Sequence, residues 1–526
     1  MDLVLVGLPG SGKTAVGRRL ARHHGAEFID LDERIEAAAG RSIPTIFTEE
    51  GEAAFRARER AAIADLGPPD QAPGLARVVA TGGGAPVDPR NRWTLYRGRV
   101  AAWLDGPPEV LAQRLRRSPT IRPLVAGLDP IGSVRALAAA RARFYAPALR
   151  VNGTRPVHRV AELIERRLAE GPAAGTVLLR ADTALGRIEL GEGNAVAALA
   201  AALAALEARR AILVSEPKAW AVAGEPLAAG LIAAGMPVEH LLLPRGEPAK
   251  RLAVLERAAR ALARLGVERR EPIVAVGGGA LGDAAGFLAA VYLRGVPLVH
   301  VPTTLVAQVD SAIGGKTAVD LPEGKNLVGA FHQPAAIAID VRHLRTLPSR
   351  QLRAALGEAA KMAALGDERL LELLEADGPA IARGEAGPFE RGAVAELVER
   401  CAWAKVEVVL ADERERGDRI SLNLGHSLGH GIEAAAGYRG ILHGEAVAYG
   451  LRAVCRLGVA LEMTPPERAA RLEALLDRLE LGAVPLALAP AAVLGHLATD
   501  KKRHGGQLRW VLPTATGWTV RAGVPD

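Results

Sequence analysis

Short apolar runs alternate with amphipathic stretches through the first 170 residues. Residues 3–6, 77–80 and 100–104 have the unbroken hydrophobicity of buried strands, and 15–24 and 49–66 between them repeat their apolar positions at helical spacing. This order predicts an α/β unit with a parallel sheet. Gly171-Pro172-Ala173-Ala174-Gly175 reads as a linker. A second α/β unit follows, with strands expected at 176–179, 211–214, 239–243, 272–276 and 298–301. From about residue 341 long Ala/Leu/Glu/Arg helices take over, and only 508–512 reads as a further short strand. The expected division is 1–168, a linker 169–175, an α/β domain 176–340 and a mainly helical domain 341–526.

Composition narrows the class. The chain has 526 residues, about half of them hydrophobic, which excludes a disordered protein. Two cysteines, Cys401 and Cys455, exclude a disulfide scaffold and suit a reducing compartment. The first residues lack the basic segment of a signal peptide, and no apolar run reaches membrane-spanning length, so a cytoplasmic protein without membrane contact is expected. The net charge of +7 lies wholly in residues 1–170, with 26 Lys+Arg against 19 Asp+Glu; the remainder is balanced at 40 each. Scattered Arg, few aromatics and no binding module argue against nucleic acid. Attraction of small anionic ligands explains the bias better. Only nine basic residues are Lys, against 57 Arg, so the position of each Lys is informative.

Gly7-Leu8-Pro9-Gly10-Ser11-Gly12-Lys13-Thr14 fits the complete phosphate-loop pattern between a strand and a helix. Backbone N–H groups of Gly10, Ser11 and Gly12 would cradle phosphates, Lys13 would reach the β- and γ-phosphates of ATP, and Thr14 would ligate Mg²⁺. Asp30 and Asp32 follow in a D-x-D arrangement: one carboxylate suits Mg²⁺ through water, the other a hydroxyl proton. Downstream come Gly51-Glu52-Ala53-Ala54-Phe55-Arg56, Thr81-Gly82-Gly83-Gly84, Arg122 before Pro123-Leu124, and Arg141. Arg pairs suit a carboxylate ligand.

In this order the motifs resemble the shikimate kinases, over about 1–168. The resemblance implies a P-loop kinase fold of nucleoside-monophosphate-kinase type and ATP-dependent phosphorylation of shikimate. It implies shikimate binding at Asp32, Arg56, Gly83 and Arg141, with catalytic roles for Lys13, Asp32 and the ATP-facing Arg122. It places Asp30 near Mg²⁺.

The second α/β unit carries Gly277-Gly278-Gly279-Ala280-Leu281-Gly282-Asp283 after a strand, a pyrophosphate-loop pattern. No acidic residue closes a strand at the usual downstream offset, so this is not a standard Rossmann unit. Asp283 and Glu247 are the candidates for bonding the cofactor. In the helical third, Gly425-His426-Ser427-Leu428-Gly429-His430 is followed by His443-Gly444-Glu445, and Glu358 precedes Lys361 by three residues. Spacing alone favours His426 and His430 as an i, i+4 metal pair, and a mixed His/Glu site suits Zn²⁺. Lys316, Lys325, Lys361, Lys405 and Lys501-Lys502 cluster around these motifs, which implies a ligand with phosphate and carboxylate groups. Lys218 alone falls outside both sites.

This combination resembles the 3-dehydroquinate synthases, over about 176–526. The resemblance implies a Rossmann-like domain followed by a helical metal-binding domain. It implies NAD⁺ and Zn²⁺ (or Co²⁺) acting on 3-deoxy-D-arabino-heptulosonate 7-phosphate. A hydroxyl is oxidised, phosphate is eliminated, the ketone is reduced again, and the ring opens and closes by an aldol step, with NAD⁺ regenerated. The resemblance assigns the metal to Glu358, His426 and His443, replacing the i, i+4 pair. It makes His430, Lys316, Lys361 and Asp310 catalytic. Substrate contacts fall on Asp310, Lys316, Asn326, Lys361, Lys405, Arg419, Asn423, His430 and either Lys501 or Lys502. Arg294 matches a phosphate ligand donated across a homodimer. Cofactor contacts fall on Glu247, Lys250, Gly279, Ala280, Leu281, Gly282, Asp283, Thr303, Thr304, Lys316 and Lys325. The expected whole is a bifunctional enzyme of chorismate biosynthesis. The rivals are a kinase of another hydroxy acid such as gluconate, fused to a polyol dehydrogenase or to a cyclase of sedoheptulose 7-phosphate.

Overall fold

The computed structural model describes residues 1–70, 73–117, 129–173, 175–482, 488–497, 503–504 and 507–524. The chain divides into two compact units, Met1–Asp182 with Ile188–Asn194, and Thr183–Arg187 with Ala195–Asp526. No helix among the described residues is long and apolar enough to cross a membrane.

The first unit is built on five parallel strands, β1 (Asp2–Val6), β2 (Glu27–Asp30), β3 (Arg77–Ala80), β4 (Val100–Asp105) and β5 (Leu149–Asn152), in the order β2-β3-β1-β4-β5. β1 is wholly buried at the centre, because both of its faces are covered by helices. The segment after β1 therefore opens at the carboxyl edge of the sheet, where α/β proteins bind ligands. The helix expected at 49–66 begins earlier, at Ile43: Ser42 caps it by accepting from the Thr45 N–H at 3.3 Å, and Pro44 sits in its first turn. Gly51, at φ 82°, kinks it. β5 was not expected, since Leu149-Arg150-Val151-Asn152 is too short and too polar to read as buried.

β6 (Thr176–Thr183) and β7 (Gly186–Glu192) are neighbouring strands. The second unit has five parallel strands, β8 (Ala211–Ser215), β9 (Val238–Leu242), β10 (Ile273–Gly277), β11 (Leu298–Pro302) and, later in the chain, β14 (Ala336–Asp340), in the order β14-β11-β10-β8-β9. Between β11 and β14 lies an antiparallel hairpin, β12 (Lys316–Leu321) and β13 (Gly324–Phe331). This hairpin was not among the expected strands, and it carries Lys316, Lys325 and Asn326. The expected late strand is present in a three-stranded sheet of β15 (Arg503–His504), β16 (Gln507–Pro513) and β17 (Trp518–Ala522).

Helix Ser349–Ala364 packs against helix His443–Ala460 through facing glycines. A Cβ at Gly357 would strike the Gly444 carbonyl, and one at Gly444 would strike the Ala354 carbonyl. The glycines set the distance between these two helices, and with it the distance between the side chains they carry.

His300 on β11 is buried, and burial holds its imidazole at about 4, with His332 acting in the same direction. Its folded value lies below the ordinary 6.5, so the unfolded chain binds the extra proton. The contribution of neutral His300 to stability is complete above 6.5 and is lost as pH falls towards 4. Between pH 7 and 5 this group alone should cost roughly 2 kcal/mol. Urea unfolding of wild type and His300→Gln at both pH values measures it: the variant should show the smaller pH dependence, and equal dependence would contradict the assignment.

Candidate active sites

The phosphate loop is held open by its glycines. Gly7, Gly10 and Gly12 have φ of 138°, 80° and 97°, which side chains disfavour, and a Cβ at Gly7 would collide with the Leu104 carbonyl. Helix Lys13–His24 starts without a side-chain cap, so its first N–H groups remain available to an anion. Lys13 Nζ donates to the Gly7 and Leu8 carbonyls at 2.9 and 3.0 Å, folded back over the loop it would serve. Thr14 Oγ1 donates to Asp30 Oδ2 at 2.8 Å. Asp30 Oδ1 also accepts from the Asp32 N–H at 3.1 Å and caps helix Leu31–Ala39. One carboxylate thus joins the loop threonine to a helix start.

The triple glycine lies among the other predicted residues of this unit. A Cβ at Gly82 would come 2.9 Å from Asp32 Oδ1, one at Gly83 2.7 Å from Pro9, and one at Gly84 2.5 Å from the Arg56 guanidinium. Only glycines admit these three neighbours together. Arg56 pairs with Glu59 at 2.8 Å and Glu52 at 2.9 Å. Burial pushes the Glu59 carboxyl up against the pull of Arg56, and the charges of Asp32 and Arg141 also reach it. Tyr145 donates to the Gly83 carbonyl, and burial raises its hydroxyl to about 12. Glu59 and Tyr145 were missed in sequence; the i, i+3 spacing behind Arg56 was the available signal for Glu59. Arg122 lies outside the described residues.

In the second unit Glu358, His426 and His443 converge from three helices. Their ligating atoms lie within 4.8 Å of one another. His426 Nε2 and His443 Nε2 are 3.4 and 3.2 Å from Glu358 Oε1, and Lys361 Nζ is 2.7 Å from Oε2. Burial opposes ionisation of Glu358, but Lys361 and His426 outweigh it and hold the carboxyl well below its usual range. Burial likewise opposes a charged His443, yet the neighbouring carboxylates of Glu358 and Glu433 lift it to about 10. Both oxygens of Glu358 are buried without a well-directed hydrogen bond, although ion pairs surround them. A carboxylate and two imidazoles converging on such oxygens fit a divalent cation of the Zn²⁺ or Co²⁺ kind. The i, i+4 partners His426 and His430 stand edge to face at 5.5 Å; His430 instead groups with Glu433 and His443.

Asp310 sits on a π-helical turn, Ala307–Ser311, anchored by Gln308, which donates to the carbonyls of Pro302 and Asp340. Lys405 Nζ donates to the Asp310 carbonyl and carboxylate at 2.6 and 2.7 Å. Burial pushes Lys405 down, and it opposes the Asp310 charge that Lys405 and Lys361 keep ionised. Arg419 is buried and donates to the carbonyls of Glu413 and Gly314. Lys316 and Asn423 meet at Glu415, a residue not singled out in sequence. Lys501 and Lys502 lie outside the described residues.

Beside this cluster, β10 leads through Gly278 into helix Gly279–Val291, whose start has no side-chain cap. Its N–H groups open on a cleft lined by Gly279, Ala280, Leu281, Thr303 and Thr304. Lys250 Nζ donates to Asp283 at 2.8 Å and to Asn326. Asn326, expected among substrate contacts, is thereby joined to the cofactor set. Lys325 Nζ reaches Glu247 at 3.2 Å. Two cleft residues change the sequence picture. Glu216, directly after β8, is an acidic residue at a strand end, and Lys218 shares the same wall. Both enter because β8 is the neighbour of β10 in the sheet, not in the chain. Arg294 lies apart, exposed at the far end of the 13-residue helix, about 20 Å from its start. Leu293 and Arg294 both have left-handed φ, 49° and 67°.

Comparison with known proteins agrees with both units. The shikimate kinase family model matches residues 9–167, and those for the 3-dehydroquinate synthase N-terminal and C-terminal regions match 240–354 and 355–503. The 3-dehydroquinate synthase of Symbiobacterium thermophilum is 43% identical over 319 residues, covering 60% of this chain and 87% of that protein. Among solved structures, 2-epi-5-epi-valiolone synthase from Streptomyces hygroscopicus subsp. jinggangensis 5008, with NAD⁺ and Zn²⁺ bound, is 29% identical with a TM-score of 0.56, covering 60% of this chain and 87% of that one. A 2-deoxy-scyllo-inosose synthase complexed with carbaglucose-6-phosphate, NAD⁺ and Co²⁺ is 26% identical with a TM-score of 0.55, covering 65% and 92%. The chain belongs to the 3-dehydroquinate synthase family and carries a shikimate kinase domain ahead of it.

Proposed function

We propose that this chain phosphorylates shikimate with ATP at one site and converts 3-deoxy-D-arabino-heptulosonate 7-phosphate to 3-dehydroquinate and phosphate at another. The observation that carries the reading is the Glu358/His426/His443 cluster, surrounded by Lys361, Lys405 and Arg419 and set beside a glycine-rich cleft, in a chain that also bears a complete phosphate loop. The kinase occupies 1–168, a linker 169–175, the cofactor domain 176–340 and the metal and substrate domain 341–526. Buried free Cys401 and Cys455 suit a cytoplasmic protein.

In the kinase, the loop N–H groups and Lys13 bind the β- and γ-phosphates of ATP, and Arg122 covers them. Thr14 and Asp30, already bonded to each other, hold the Mg²⁺ that accompanies the nucleotide. Arg56 and Arg141 hold the shikimate carboxylate beside Gly83, and Asp32 takes the proton of the attacking hydroxyl.

In the synthase, NAD⁺ supplies a hydride acceptor and Zn²⁺ (or Co²⁺) at Glu358, His426 and His443 supplies a Lewis acid. The helix start at Gly279 takes the pyrophosphate, with Lys250, Asp283, Thr303, Thr304, Glu247 and Lys325 around the dinucleotide. Glu216 suits the ribose hydroxyls. Lys316, Asn326, Lys405, Arg419, Asn423 and Lys501 or Lys502 hold the substrate carboxylate and hydroxyls. Lys361 and Asp310 orient the reacting hydroxyl, and His430 moves its proton. Arg294, exposed on a strained turn, serves the phosphate of a second copy in a homodimer.

The test compares phosphate release from the heptulosonate with release from sedoheptulose 7-phosphate, while following NADH. Release from the heptulosonate alone, without net NADH, is expected. Release from sedoheptulose 7-phosphate alone would make the second unit a different cyclase, and net NADH with a polyol would make it a dehydrogenase.

A further inference from the structure

Helix His426–Ala435 carries a carboxylate that neither the cluster around Glu358 nor the substrate contacts employ. Glu433 is buried, and its two oxygens face different groups. Oε2 lies 2.9 Å from His443 Nδ1, and Oε1 lies 3.8 Å from Lys325 Nζ. The other ring nitrogen of His443, Nε2, is the one turned to Glu358 at 3.2 Å. An ionised carboxylate only accepts, so a His443 bonded to it keeps a proton on Nδ1, and when a cation takes the place of the proton between Nε2 and Glu358 it is the Nε2 lone pair that would ligate it. His426 reaches the same tautomer by a weaker route, with Nδ1 3.1 Å from the Leu424 carbonyl. The difference follows exposure. The His426 side chain is 11% exposed and already confined by packing, whereas that of His443 is 36% exposed.

We propose that Glu433 is a positioning residue for the metal: it fixes the tautomer and ring orientation of His443, and Lys325 holds it in register. The proposal rests on the ligand reading of Glu358, His426 and His443. Lys325 also contacts Glu247, one of the residues proposed around the dinucleotide, so the carboxylate that orients a ligand is linked by one ammonium to that set. Carboxylates behind ligating histidines typically contribute 10–100-fold in metal affinity.

The experiment uses the full chain, wild type and Glu433→Ala, Glu433→Gln and His443→Ala, with Zn²⁺ affinity read by chelator competition and geometry by the visible absorption of Co²⁺. Glu433→Ala should bind Zn²⁺ 10–100-fold more weakly, still reach one ion per chain at saturation, and show an altered Co²⁺ spectrum. Glu433→Gln, whose amide oxygen still accepts from Nδ1–H, should recover to within about fivefold of wild type. Kinase turnover should be unchanged in each, and a wild-type thermal unfolding profile reports that the second unit, which carries Glu433, is folded. Affinity within twofold of wild type in Glu433→Ala would overturn the proposal. So would loss of the ion at saturation in both Glu433 variants, which would make Glu433 a ligand. Should Glu433→Ala not fold, histidine ¹⁵N spectra of the Zn²⁺-loaded wild type decide: His443 protonated on Nδ1 is expected, and protonation on Nε2 overturns the proposal. Wild-type affinity in His443→Ala would instead refute the ligand reading itself.

Discussion

Replacing His443 by Ala should leave the chain with less than about 0.1 Zn²⁺ per molecule and no detectable synthase turnover, while shikimate phosphorylation continues at the wild-type rate. The expectation comes from the donor set. Glu358 and His426 would remain, but two protein ligands fall short of the three that a catalytic zinc site retains. The loss should not unfold the protein, because Glu358 keeps Lys361 at 2.7 Å and His426 at 3.4 Å and so is not left as an unpaired buried charge. Metal analysis and the two activity assays on one preparation check this. Stoichiometric metal in the variant would refute the ligand assignment, and a parallel loss of kinase activity would show that the two units depend on each other.

The mirror prediction concerns Lys13→Ala. Lys13 is the cation that the loop places for the transferred phosphoryl group, and removing one preorganised charge of this kind costs about 10²–10³-fold in turnover. Kinase kcat should fall by at least that factor, with heptulosonate turnover within twofold of wild type. The structural cost is confined to the loop. The variant loses donation to the Gly7 and Leu8 carbonyls, which for an ammonium donor is worth about 1.5–3 kcal/mol per bond. Steady-state assays of both reactions, with a thermal midpoint as control, measure the split.

Contiguous features were readable in the chain. The phosphate loop is eight consecutive residues whose geometry follows from glycine conformations and the strand and helix beside them. The β10 turn into helix Gly279–Val291 is of the same kind. The metal cluster was not readable from spacing, since its three members stand on different helices. His426 and His430 share a helix, so periodicity pairs them. Glu358 and His443 meet because Gly357 and Gly444 let two backbones approach, a tertiary fact without local signature. Apart from Tyr145, the residues missed as partners are carboxylates: Glu59 behind Arg56, Glu415 beneath Lys316 and Asn423, and Glu433 behind His443. The scarcity of Lys drew the reading to cations, while 59 Asp and Glu gave no such contrast. Lys218 is the opposite case. It seemed idle because its neighbours in the chain carry no motif, yet it lines the cleft through strand pairing.

The claim that one chain carries two chemically separate sites is tested most directly by a single titration. Phosphate release from 3-deoxy-D-arabino-heptulosonate 7-phosphate and ADP formation with shikimate are followed in the same full-length preparation as a Zn²⁺-selective chelator is added at constant Mg²⁺. Both activities should be present at the start. Phosphate release should fall to background and return with added Zn²⁺ or Co²⁺, while ADP formation stays constant. Phosphate release that survives complete removal of the metal, or two activities that fall together, would contradict the account.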